Sequence, residues 1–300
     1  MLFSHKDSIK RFSGGHSSAG GLGAGLGSPQ IVQGILPIAK STVSGWALPG
    51  HGDSYSDCGH FWMKGCLDVG FHEQARIDGV DVVGKVYVKV VKRTCLRAEC
   101  PICYEKWAGK QAHRIEYRLA SYRISGKPIH LIVSPPARLW GMDLIELRRL
   151  SYKIAKNVRF LGGSCIFHPF RQVESTKKWF FSPHFHAIGY GWIQGVKENY
   201  ERTGWIVKNA GVRKSVGATA LYQLSHAGIH KHHHTVTWFG NLAYNKLRVV
   251  PEVVEEECCP LCKGKLFKII WVGDGECPIP DEEGDYFVEP AGWMTSHGWG

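Results

Sequence analysis

The stretch Trp179–Trp192, WFFSPHFHAIGYGW, decides how this chain is read. Rich in aromatic residues and free of lysine and acidic residues, it reads as a β-strand. Side chains alternate between the two faces of a strand. His184 and His186 therefore project together while Phe185 enters the core. Two neutral imidazoles on one rigid surface form half of a divalent-metal site. The pair is weak evidence by itself, because 16 His in 300 residues supply about one His-x-His pair by chance. His230, His232 and His234 in HKHHH supply two more pairs. These lack an apolar middle residue and a strand context, and read as a polar loop.

Working outward, Ser164–Phe170 (SCIFHPF) reads as a strand, and a turn near Ser175–Lys178 joins it to the histidine strand as a hairpin. A hairpin centred near Thr176 sets His168 opposite His184, where directly opposed residues are close neighbours. His168 is then the candidate third ligand; the alternative is a satisfied histidine packed beside Pro169. Three protein ligands leave coordination positions open for a phosphate oxygen and water. On the N-terminal side, Trp107, Ala108, Gln111, Ala112, Ile115 and Leu119 follow helical spacing. Ile129–Val133 reads as a strand stopped by Pro135–Pro136. Met142–Phe160 reads as an amphipathic helix ended by Gly162–Gly163. On the C-terminal side, Gly204–Val207 reads as a short strand and Ser215–His226 as a helix with Gly228 as its C-cap. Thr235–Phe239 reads as a last strand. This order predicts an α+β fold, an antiparallel sheet with flanking helices.

The net charge of +11 is unevenly spread. Residues 105–250 carry 23 Lys+Arg against 7 Asp+Glu, whereas residues 251–300 carry 3 against 11. A basic region centred on the histidine pair is the footprint of a phosphate-backbone binder. Lys177, Lys178, Arg213, Lys214 and His226 are its candidate DNA contacts. The acidic segment could dock the adjacent cysteine knuckle, recruit a partner or restrain DNA binding. No apolar run reaches the roughly 18 residues a membrane span needs, and the N-terminus shows no secretory apolar stretch. The chain is expected in the cytoplasm, with no membrane partner. Four regions follow from composition: a flexible leader at 1–50, Gly/Ser-rich over residues 12–29; a Cys/His-rich segment at 51–104; a basic domain at 105–250; and an acidic, Cys-containing tail at 251–300.

The ten cysteines are clustered. Cys95-x4-Cys100-Pro-Ile-Cys103 contains a Cys-Pro-x-Cys knuckle, and Cys58, His60, Cys66 and His72 lie upstream. A two-residue spacer lets one turn supply two thiolates to a tetrahedral zinc ion. The first-choice ligands are Cys66, Cys95, Cys100 and Cys103, with Cys58 or His72 able to replace one. Cys258, Cys259, Cys262 and Cys277 repeat the knuckle downstream. There a second zinc on Cys259, Cys262 and Cys277 competes with a redox pair. Cys165, inside an apolar run, reads as a buried thiol.

The helix at 215–226 carries Tyr222, with Ser225 and His226 on the same face three and four residues on. A tyrosine on a helix is ordinarily core. Beside a half-open metal site in a basic domain it has another use. Its phenolate can attack a phosphodiester in line, release a 3′-hydroxyl and keep the strand as a rejoinable phosphotyrosine ester.

Together IHLIVSPP, PHFHAIGYGW and ALYQLSHAGI resemble the three motifs of HUH-superfamily replication initiators, above all the rolling-circle Rep proteins of archaeal plasmids and viruses. The resemblance spans about residues 95–245. It implies a ferredoxin-like (RRM-like) endonuclease domain. It further implies His184 and His186 as ligands of Mg²⁺ or Mn²⁺, His168 as the third ligand and Tyr222 as the nucleophile. The implied partners are single-stranded origin DNA and the host replication helicase and polymerase. Many relatives place a lysine one helical turn after the tyrosine; this chain has Ser225 and His226 there. One tyrosine on the helix implies a single-nucleophile mechanism, with Tyr244 structural. A transposase or relaxase with the same chemistry, and a non-catalytic zinc-ribbon DNA-binding regulator, are the competing expectations.

Overall fold

The alternation of Phe61 and Met63 with Trp62 and Lys64 makes the first strand, β1 (Phe61–Cys66). A short ribbon follows, β2 (Arg76–Ile77) with β3 (Val80–Asp81), and then the valine-rich β4 (Val86–Lys92). Next come α1 (Tyr104–Ala120), β5 (Ile129–Ser134), α2 (Leu144–Asn157) and the long hairpin β6 (Phe160–Gln172) and β7 (Trp179–Gly191). Beyond it are α3 (Val196–Thr203), β8 (Ile206–Val212), α4 (Val216–Leu224) and β9 (Val236–Gly240). The chain closes with β10 (Phe267–Trp271), β11 (Gly284–Val288) and β12 (Trp293–Thr295). This computed structural model describes residues 45–73, 76–77, 79–122, 124, 126–176, 178–253 and 255–296. The Gly/Ser-rich stretch at 12–29 and Lys177 lie outside them. The class is α+β, and every paired strand is antiparallel. No described helix is long and apolar enough to cross a membrane.

The larger sheet runs β8-β5-β7-β6-β9. Its two faces are separated by strand alternation. Leu131, Val133, Phe167, Phe185 and Ala187 join Leu147 and Ile154 of α2 in one core. Ile166, Ile188 and Tyr190 face the other way and pack with Trp107, Ile115 and Leu119 of α1 and Leu224 of α4. The histidines lie on this second face. His168 pairs with His184 across the hairpin. The register shifts between His168 and Phe170, where Pro169 and Pro183 supply no N–H to the ladder.

Three local expectations are corrected. Gly162 and Gly163 do not end the preceding helix; α2 stops at Asn157, and both glycines lie inside β6. They face Gly189 and Gly240 so closely that a Cβ on any of the four would clash with opposing backbone. Gly228 is not a C-cap. The helix ends with Ser225 as its cap residue, and Gly228 lies past it, where a Cβ would come within 2.7 Å of Pro169 and 2.9 Å of Trp46. The strand expected at 204–207 is the longer β8, an edge of the sheet.

The second sheet runs β11-β4-β1-β10-β12. Its strands come from both sides of the central domain in sequence, so the regions expected as separate at 51–104 and 251–300 form one sheet. Val88, Val90, Ile269 and Trp293 make its core on one face. The leader boundary at 50 also moves. Trp46 is buried against Phe167, with ring centroids 4.8 Å apart, and Ala47 bridges to Ile229. The acidic segment docks on basic elements through Glu252 to His113, Glu257 to Lys64 and Lys89, and Glu283 to Lys106.

Candidate active site and metal centres

The strand hairpin, β5 and the end of α4 bring five histidines together. His168, His184 and His186 each offer a ring nitrogen, and these donor atoms lie within 4.8 Å of one another. His168 is fully buried and neither of its nitrogens makes a hydrogen bond of good geometry. A buried imidazole without partners is costly unless something else fills its coordination. The other two are oriented from behind. His184 Nδ1 lies 2.8 Å from the Ser182 carbonyl oxygen, and His186 Nδ1 lies 2.8 Å from Nε2 of His130. With Nδ1 protonated, each ring donates backwards and keeps the Nε2 lone pair for a cation. Such outer hydrogen bonds typically fix metal-ligating histidines. The donor set therefore fits a divalent metal.

Burial lowers the pKa of every ring here. His168 and His186 sit well below the ordinary value, with neighbouring histidines adding to desolvation. His184 falls to about 3, through burial and then the Arg171 charge. His130 falls to about 4, through burial and then the Arg213 and Lys208 charges; burial also takes His226 to about 4. All are neutral at pH 7, the form that binds metal.

Tyr222 sits on α4 at the rim of the same cleft, 65% exposed. Ser215 caps the start of this helix by accepting the Ala218 N–H at 3.1 Å. The Tyr222 ring lies 4.8 Å from that of His226, which in turn meets His168 edge-on at 4.4 Å. The cleft, about 600 Å³, is also lined by Arg171, Trp179 and Phe170. Arg171 donates to Ser134 Oγ at 2.9 Å.

The DNA-contact candidates separate. Lys178 and Lys214 are exposed, and Arg213 lines a smaller cavity beside Tyr222 and His130. Lys177 is outside the described residues. His226 is drawn inward against the triad rather than left on the surface. Sequence reasoning missed His130 and Arg171. A histidine inside the apolar run IHLIV was the available signal for His130; nothing local marks Arg171, which reaches the cleft only through the hairpin bulge.

The cysteines form two four-residue groups that could hold a metal such as zinc. Cys58, Cys95, Cys100 and Cys103 make the first. Cys58 thus stands where Cys66 was expected. Cys66 lies at the end of β1, and the β1–β10 pairing carries the downstream knuckle over it. It joins His72, Cys259 and Cys262, with Cys66 Sγ 3.6 Å from Cys262 Sγ and Cys259 Sγ 3.5 Å from His72 Nε2. His72 Nδ1 is held 2.6 Å from the Lys85 carbonyl oxygen, again leaving Nε2 for a cation. Cys277 is exposed and outside the group, because it falls in the connection between β10 and β11. Four converging Cys or Cys and His donors are a ligand set that structural zinc sites use. Burial pushes the Cys66 and Cys103 thiols up to about 12; a bound cation would deprotonate them outright. The HKHHH cluster is not among the ligand groups of the described residues; His233 instead stacks on Trp46 at 5.5 Å. Cys165 is buried, away from both clusters.

Compared with protein-family models, with curated proteins and with solved structures, the chain finds no match in any of the three.

Proposed function

We propose that this protein is a metal-dependent endonuclease of the HUH type that nicks and rejoins single-stranded DNA, and that it initiates rolling-circle replication in the host cytoplasm. One observation carries the reading. An exposed tyrosine, Tyr222, borders a cleft lined by His184 and His186, and the fully buried His168 behind them brings a ring nitrogen within 4.8 Å of theirs while making no hydrogen bond of good geometry. On this reading the larger sheet with its helices is the ferredoxin-like nuclease domain.

His168, His184 and His186 would hold Mg²⁺ or Mn²⁺. When bound, the cation polarises the scissile phosphate and offsets charge in the transition state. Every other part of the chemistry belongs to the chain. The Tyr222 oxygen gives up its proton and bonds to phosphorus, and the bond from phosphorus to the 3′-oxygen breaks. That oxygen takes a proton and leaves as a free 3′-end for a host polymerase, with a helicase opening the duplex ahead. The 5′-phosphate stays on Tyr222 as an ester, so attack by another 3′-hydroxyl reverses the step. His130 and the Ser182 carbonyl hold the ligand rings; Arg171, Arg213, Lys178 and Lys214 supply positive charge for the backbone.

The test is incubation with Mn²⁺ and single-stranded DNA from the region flanking the protein's own gene. A covalent adduct on the 5′-phosphate at one nick is expected, and Tyr222→Phe should form none. An undiminished adduct in that variant would remove Tyr222 from the role.

A further inference from the structure

The outer face of the second sheet carries a feature that the nicking reaction does not use. One half of it is covered. Cys66, Tyr87 and Phe287 lie under the knuckle residues Cys259 and Leu261. The other half is open and forms a groove of about 820 Å³, larger than the tyrosine cleft. Trp62 and Val91 face each other across β1 and β4 in this groove. Beside them, strand pairing lines up lysines across three adjacent strands. Lys268 of β10 is opposite Lys64 of β1, which is opposite Lys89 of β4. Directly opposed like charges destabilise a sheet, and with only Asp285 of β11 opposite Lys89 in register, a row of three lysines calls for a further anion. Glu257 supplies one in this structure: its two carboxylate oxygens bind Lys64 and Lys89. Lys268 has no such partner among the described ion pairs, and Arg93 lines the groove beside its partner Asp57.

A cationic row beside a partly exposed tryptophan is the combination that binds single strands: lysines follow the phosphates while a base stacks on the ring. We propose that this groove is a second single-stranded DNA-binding surface, separate from the histidine cleft, on which phosphates replace the Glu257 carboxylate and a base stacks on Trp62. The ligand class rests on the nucleic-acid reading above. An acidic peptide would satisfy the lysines and leave Trp62 without a use.

The experiment measures anisotropy of labelled oligo(dT) with the full chain, without added Mg²⁺ or Mn²⁺, over a salt series. Lys64→Gln/Lys268→Gln should lower affinity at least about tenfold and reduce the salt slope by about 1.4, the value for two lost phosphate contacts on a single strand. Trp62→Ala should weaken binding about tenfold through lost stacking. Glu257→Gln should strengthen it up to about fivefold by freeing the row. Unchanged zinc content and melting temperature show that each variant is folded. Affinity and slope unchanged in both Trp62→Ala and the double variant would overturn the proposal. So would oligoglutamate competing as well as unlabelled oligo(dT). Adduct formation on saturating origin DNA should survive in all of these variants. A failure of the Tyr222 assay would leave the binding result standing, and the reverse also holds.

Discussion

His168 and His130 fix what the site asks of single residues. His168 is buried and neither nitrogen makes a hydrogen bond of good geometry, so the proposed cation is what would complete it. His168→Ala, His184→Ala and His186→Ala should each abolish Mn²⁺-dependent nicking while leaving circular dichroism unchanged; full activity in any of them would remove that residue from the ligand set. His130 acts at one remove, through the 2.8 Å bond to His186. Loss of such an outer partner weakens metal binding about 10–100-fold. Adding Mn²⁺ should therefore rescue His130→Ala and not His186→Ala, which titration of nicking against Mn²⁺ will read. The same burial sets an acid limit. His130 and His226 titrate near 4 in the fold, and His184 near 3, against about 6.5 in the unfolded chain. Between these values the unfolded chain holds more protons, so stability falls as pH drops below about 6.5. Urea midpoints of the metal-free protein should decline from pH 7 to pH 5, and a flat profile would contradict the buried neutral cluster.

Among the elements, the hairpin β6–β7 bears the greatest demand. It holds three converging histidines in register and must approach its neighbours closely at Gly162, Gly163, Gly189 and Gly240. Gly189→Ala should cost about 1–3 kcal/mol, as overpacking does, read as a lower melting temperature; a neutral result would mean the strands can part there. The hairpin was legible because its cues are local: period-two alternation, a polar turn and histidines at matching offsets. The glycines misled the reading for a physical reason. A Gly pair after an amphipathic helix signals a stop from one side of the chain only, and its true purpose, close strand approach, depends on Gly189 and Gly240 far along the sequence. Likewise Cys58 and Cys66 are both plausible partners for the first knuckle by spacing. Only the pairing of β1 with β10 assigns Cys66 to the second group, and that pairing joins segments about two hundred residues apart. Arg171 and the lysine row are equally products of strand register, which no local pattern contains.

For the molecule as a whole, the two cysteine groups tie the ends of the chain to its centre in different ways. The first group ends in Cys103, the N-cap residue of α1, and α1 shares a core with α4, which carries Tyr222. The second joins Cys66 and His72 to Cys259 and Cys262, pinning the knuckle to the outer sheet. Closed tetrahedral sites contribute folding free energy directly. Elemental analysis should find about two zinc ions per chain. Cys100→Ser and Cys259→Ser should each lose about one of them, but with unlike consequences. Releasing the first zinc loosens the start of α1 and, through their shared core, the helix beneath Tyr222, so adduct formation should fall together with zinc. Releasing the second frees the 255–296 segment from β1, so limited proteolysis should cut there while adduct formation on saturating origin DNA persists. A Cys100→Ser protein short of one zinc yet fully active would show that α1 does not transmit the first site's order to the tyrosine. A Cys259→Ser protein as resistant to protease as the parent would show that strand pairing alone holds the outer sheet.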